Sequence, residues 1–547
     1  MKTILLSLAL IASGTPALAQ DDPHAACAAP PTYVPSELLV RTVPLRKGVG
    51  NSHEAVTTAS KEAQAFYDQG LNYLESYVWI EASRSFHEAL RKDPNLAMAY
   101  IGLSRTHSGM DDAEGAKMFF EKAKALAPKV SEREQRRIAI REAQLAAMEN
   151  IEDNVKLAAY RKVIDDALAK DIDDPQLWVL AGNAQEPTAA GRGQRGTAAT
   201  VPYYHEVLRL VPDHATAHHY LIHSYETIGQ IDKALEHGAV FARESPSIPH
   251  AAHMWAHDLR RVGRIDDAIT QFKKTDSLER AYYQAENIDP SMDWHHGHNL
   301  DLLATCYQHK GQMGLAETKL REAESLKTVT AYHAFNRKGL PAFLIHRERY
   351  EDALEAARAM TTDEYPQART VGHALAAHAL ADLGRMEEAR AELASAEKSL
   401  EEVPVVTPGI VPKRSIVKVW VDAARGELLL KSGQLAEANP MLKGAQRDLR
   451  ATPGPDAWTQ ALFRLETIAR SAREAGDWEL AEYTAKQMLD HDAAYGGSHL
   501  AMALVLEHNG DAAGAKKSLT EAKRYWKDAD RDMAELKQID TAMAGRR

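Results

Sequence analysis

His219 and His223 recur 34 residues later as His253 and His257, and the landmarks after them keep the same step. Gly229 becomes Gly263, Ile231-Asp232 becomes Ile265-Asp266, and Ala234 becomes Ala268. A chain that repeats itself at this interval has few architectures open to it. Each unit is too short to bury a core alone and must stack on its neighbours, and the period is that of a helix–turn–helix unit in an extended array. A second set holds the same step: Ala82, Phe86, Ala89 and Pro94 reappear as Ala116, Phe120, Ala123 and Pro128. Alanines suit positions where two helices cross closely, phenylalanine fills the gap between them, and proline ends the second helix. A glycine followed five residues later by alanine marks further units at Gly229/Ala234, Gly263/Ala268, Gly311/Ala316, Gly384/Ala389, Gly433/Ala438, Gly476/Ala481 and Gly510/Ala515. The expected fold is all-α.

The chain divides accordingly. Residues 1–19 read as a secretory leader, with Lys2 as the positive end, Ile4–Ala12 as the apolar core and Ala17-Leu18-Ala19 as the cleavage site. That run is too short to cross a bilayer, and no later stretch approaches the ~20 apolar residues a span requires. The mature chain is therefore expected to be exported, into the periplasm of a two-membrane host, with no membrane span. Residues 20–60 carry Pro30-Pro31, Pro35, Pro44, Gly48 and Gly50 and are expected to form an extended arm, lying on the array or partly disordered. Residues 61–170 read as N-terminal helix pairs, residues 171–327 as central histidine-rich repeats, and residues 328–547 as C-terminal repeats with a capping helix. Two irregularities flank the histidine repeats. One is the long connection 187–197; the other is Tyr282–Asp293, which stretches the interval from Gly263 to Gly311 to 48 residues.

Composition excludes several functions. The net charge of −11 and the lack of a dense basic run argue against nucleic acid as a partner. With only Cys27 and Cys306 and no CxxC spacing, a cysteine-ligated zinc site is excluded. Cys306 lies on an apolar helical stretch and reads as a buried thiol; whether it pairs with Cys27 is left open. No GxSxG, HExxH or phosphate-binding segment occurs.

Chemistry concentrates on one helix face. His219, His223 and Glu226 stand ten, six and three residues before Gly229. His250, His253 and His257 stand thirteen, ten and six before Gly263, and His298 and Asp301 thirteen and ten before Gly311. Offsets of three and four keep such residues on one side of a helix, with Cβ atoms ~5–6 Å apart. Neighbouring helices pack ~8–10 Å apart. Imidazoles from stacked repeats could therefore grip one or two ions, with zinc, copper or iron all compatible with a histidine and carboxylate set. His219, His223, His253, His257 and His298 are the expected metal ligands. Glu226 and Glu186 are candidate acid/base groups, and His250, Asp301, Arg192 and Arg195 candidate substrate contacts, the two arginines clamping an anion from the Gly191–Gly196 loop. His218 aligns with Ala252 and is expected to face the helix-pair core. His295 and His296 are divided between the helix and the loop before it. The competing reading is a neutral polar groove that hydrogen-bonds a peptide or small molecule.

These landmarks resemble the tetratricopeptide repeat over most of residues 60–526. The strings Gly191–Gly196, His218–Glu226, His253–Arg261 and His298–Ala304 are similar to a narrower, histidine-rich set of exported bacterial repeat proteins. The resemblance implies a right-handed α-solenoid in which this face of each first helix lines a concave groove, and the role of a protein-interaction scaffold. The expectation is thus an exported solenoid whose groove carries a histidine/carboxylate site, binding a transition metal and open to catalysis on a small or peptide-like substrate. The alternative is a non-catalytic scaffold for a protein partner.

Overall fold

The computed structural model describes residues 34–544 except 151–152, 187–188, 190–195, 329, 406–411 and 453–454. The leader, Cys27, Arg192 and Arg195 lie outside the described residues, so the proposed arginine clamp is not among the placed groups. Among those described, the chain is α-helical with no strand. Consecutive helices pack as pairs: Lys61–Glu75 on Trp79–Lys92, Ala97–Gly109 on Ala113–Leu126, Ala215–Thr227 on Ile231–Glu244, Pro249–Arg261 on Ile265–Glu286, and Trp294–His309 on Met313–Ser325. The pairing continues to Gly496–His508 on Ala512–Tyr525.

The repeat landmarks do what their chemistry suggests. Phe86 is fully buried, and its ring lies where a Cβ on Gly70 or Gly102 would stand less than 3 Å from it. Small residues let the two helices close on the aromatic. The seven turn glycines all adopt a left-handed backbone, with φ between 74° and 79°, which costs glycine little. Tyr77, Asp111 and Glu348 hold the same conformation at φ 60°, 55° and 59°. Their turns close with the same bond: the amide of Val78 donates to the Tyr73 carbonyl as that of Gln230 does to Tyr225. Three units therefore use the repeat turn without its glycine.

The apolar core forms two main bodies. They meet at Pro249–Arg261, whose Ala251 and Met254 belong to the N-terminal body and whose Ala256 and Leu259 belong to the other. Segments near both ends of the described residues fold back on this seam. The arm runs extended after a short turn, Ser36–Leu39, with Val43 and Val49 buried. Its Gly48 carbonyl accepts from Ser247 N at 2.8 Å, and its Asn51 Oδ1 from Ala215 N at 2.9 Å. From the other end, Asp492 bonds Arg260 at 2.8 Å and His309 at 3.2 Å, and Trp526 Nε1 donates to the His309 carbonyl at 3.1 Å. The irregularity at Tyr282–Asp293 is resolved as a second helix of 22 residues, Ile265–Glu286, ending in left-handed Asn287. Its equivalent, Ile231–Glu244, has 14.

Candidate metal centre

The in-register histidines meet in the interior rather than in an open groove. His219, His223, His250, His253, His257 and His298 are each at most 3% exposed. The groove expectation is corrected by the way the chain closes: the first helix pair and the arm are drawn into the array, and the Glu75–Val78 turn sits on the histidine face.

Two trios form, His219/His223/His250 and His253/His257/His298, and within each the candidate ligand atoms lie within 4.8 Å of one another. In the first, Nε2 of His219 is 3.0 Å from Nε2 of His223 and 3.1 Å from Nε2 of His250. Nδ1 of His219 stands 2.8 Å from the Glu75 carbonyl. A carbonyl only accepts, so Nδ1 carries the hydrogen and Nε2 presents its lone pair to both neighbours. In the second trio, Asn299 Nδ2 donates to the Phe272 carbonyl at 3.2 Å, which orients the amide, and Nδ1 of His253 donates to Asn299 Oδ1 at 3.0 Å. Its Nε2 lone pair then faces His257 Nε2 at 2.7 Å. The His298 ring centroid lies 4.7 Å from that of His253 and 5.8 Å from that of His257. In both trios a histidine is thus fixed by the hydrogen bond on its far nitrogen, as in metal sites.

Burial, followed by neighbouring imidazoles, holds His250 and His253 well below the usual histidine range, so both rings are neutral. Neutral imidazole is the ligating form. His250 belongs to the first trio through Nε2, whereas sequence reasoning gave it a substrate contact. Its Nδ1 is 3.2 Å from His295 Nε2, and His295 and His296 hold the Glu279 carboxylate at 2.5 and 2.9 Å. Burial alone would raise that carboxyl, but the two histidines outweigh it and bring it down to about 2. His295 and His296 both lie on the Trp294–His309 helix. His218 turns the other way, 2.8 Å from His237 on the paired helix.

The carboxylates are placed unevenly. Glu226 Oε1 stands 3.8 Å behind His257, on the Nδ1 side. It lies near Asp258, whose fully buried carboxyl is driven well up by burial first and then by the charge of Glu226. A like charge nearby favours the protonated form. Asp258 follows His257 directly, yet no sequence pattern marked it. Glu186 is buried, with its carbonyl held by Arg161 at 3.1 Å, and belongs to neither trio. Asp301 lines two adjoining pockets, and His298 lines the first. A third cluster, Asp276/His296/Glu322, carries its own cations: Lys319 lies 3.0 Å from each carboxylate, and Arg280 pairs with both.

Tyr77 was invisible to motif reading and covers the first trio. Its ring centroid is 4.7 Å from that of His219, 5.4 Å from that of His250 and 5.9 Å from that of His223.

No protein-family model matches the chain, and no curated protein matches it. Among solved structures, yeast Tom70 aligns at 13% identity and a TM-score of 0.32, covering 89% of this chain and 96% of that one. The human IFIT1 dimer with m7Gppp-AAAA aligns at 13% identity and a TM-score of 0.31, covering 86% and 91%. Likenesses this weak carry no argument about family or activity. The helical-repeat fold rests on the chain's own helix pairs and turns.

Proposed function

We propose that this chain is an exported helical-repeat scaffold that holds transition-metal ions in its interior, one at His219/His223/His250 and one at His253/His257/His298. The observation that carries the reading is the His219 nitrogen. Its single in-plane lone pair meets two other ring nitrogens within 3.1 Å while its Nδ1 is committed to Glu75. One lone pair can accept well from at most one of them, whereas a cation among the three nitrogens would engage the lone pairs of all three. Four-coordinate bonds of ~2.0–2.1 Å imply ligand–ligand separations of about 3.3 Å, close to those found. Neutral imidazole suits zinc, copper or iron, and three protein ligands leave a position for water or a small molecule. A helix-pair array is equally suited to holding a protein partner, and the two readings part at the histidines.

Elemental analysis of the full-length protein, purified without a histidine tag, tests this. Two ions per chain are expected, falling to one in His219→Ala/His250→Ala and to one in His253→Ala/His257→Ala. A protein that arrives metal-free and takes up none of zinc, copper or iron defeats the proposal.

A further inference from the structure

We infer that the two trios do different work: the first is a sealed centre that retains its ion, and the second is a ligand-binding centre that admits a small molecule with an apolar body and one donor atom. This rests on the metal reading above and goes beyond it by assigning access. Two independent features support the division.

The first is Tyr77. Seven units have glycine at the corresponding turn, and of the three that hold the left-handed backbone without it Asp111 and Glu348 are exposed, whereas Tyr77, at φ 60°, is buried. It is only 2% exposed, and its ring lies over all three histidines of the first trio. A buried aromatic ring set over three imidazoles excludes solvent and ligands from that side.

The second is the cavity beside His298. No member of the first trio lines it, whereas His298 and Asp301 do, together with Leu320, Leu326, Leu340 and Tyr332. Charges at its rim are paired with one another or just outside it: Arg337 stands 3.8 Å from Glu324, and Lys327 3.5 Å from Asp289. Asp293, His333 and Asn336 also line it, but the exposed wall surface is mainly apolar, and the metal position beside His298 supplies the polar anchor. With three protein ligands each, both centres have an open position; Tyr77 covers it in the first, and the cavity leads to it in the second.

The test uses the full-length protein loaded with cobalt(II), whose visible spectrum reports its coordination, titrated with imidazole and with 4-phenylimidazole. One of the two ions is expected to respond. The phenyl compound is expected to bind about tenfold or more tighter, from apolar burial in the cavity. In His253→Ala/His257→Ala the remaining ion should ignore both compounds, and in Tyr77→Gly the first centre should become responsive. A response at both ions of the wild-type protein, at neither, or one that survives the His253/His257 substitution overturns the division while leaving metal binding intact. Failure to bind cobalt at all overturns the metal reading with it. Because the wild-type titration alone decides the matter, the outcome does not depend on the Tyr77 variant folding.

Discussion

Tyr77 sets two opposed energies against each other. A left-handed backbone costs a residue with a Cβ roughly 1–2 kcal/mol, which glycine would recover. The ring is 2% exposed and packs against Trp79, Tyr220 and three histidines, and deleting a buried aromatic side chain costs about 3–5 kcal/mol. Packing outweighs strain, so Tyr77→Gly should destabilise the metal-free protein by about 2 kcal/mol in denaturant unfolding. An equal or raised stability would mean that the ring contributes little and the turn dominates. Residues of this kind mark the limit of sequence reading. The His219/His223 and His253/His257 pairs were legible because the repeat register displays them. Glu75 was not, since its carbonyl reaches His219 from 144 positions away. Tyr77 breaks the glycine rule by which its turn would have been recognised, and Asp258 looks like any helical carboxylate until Glu226 is seen against it.

The helix Ile265–Glu286 shows what an irregular interval can mean. Its eight residues beyond the 14 of its counterpart add about 12 Å of length. That extension carries Glu279 to His295 and His296, and Glu286 to Arg46 and Arg84 of the arm and first pair. The delay after Gly263 was evident in the sequence, but its form was not, because a helix continued past its usual end and an ordered loop delay the next repeat alike. Through His295, Glu279 fixes the far nitrogen of His250, the role that supporting hydrogen bonds play around metal ligands. Glu279→Gln keeps the shape and removes the anion. It should lower metal affinity at the first trio by about tenfold or more and leave the second nearly unchanged, as read by competition against a chelator. Equal losses at both trios would mean that Glu279 supports the fold generally rather than this ligand.

At the scale of the whole molecule, an array whose units touch only their neighbours would leave the histidine face open, and here segments near both ends of the described residues close upon it. On the C-terminal side the closure passes through one carboxylate. Asp492 lies between Arg260, on the helix that carries His253 and His257, and His309, on the helix that carries His298. Burial would raise its carboxyl, but Arg260 and then His309 outweigh burial and hold it far below the usual aspartate range. The sign follows from proton binding: the unfolded chain takes up this proton near the ordinary value of 3.8, while the folded chain resists it. The contribution is therefore fully present above that value and is lost as the pH falls towards the folded one. Asp492→Asn leaves Arg260, 2% exposed, charged without its carboxylate, and removing one member of a buried pair costs about 3–5 kcal/mol. The variant should accordingly unfold about 3 kcal/mol more easily at neutral pH, and its stability should fall less steeply than that of the wild type between roughly pH 5 and pH 3. Parallel stability–pH curves would mean that Asp492 is no more than a surface ion pair, and that the closure over the second trio is held by the apolar contacts of its neighbours.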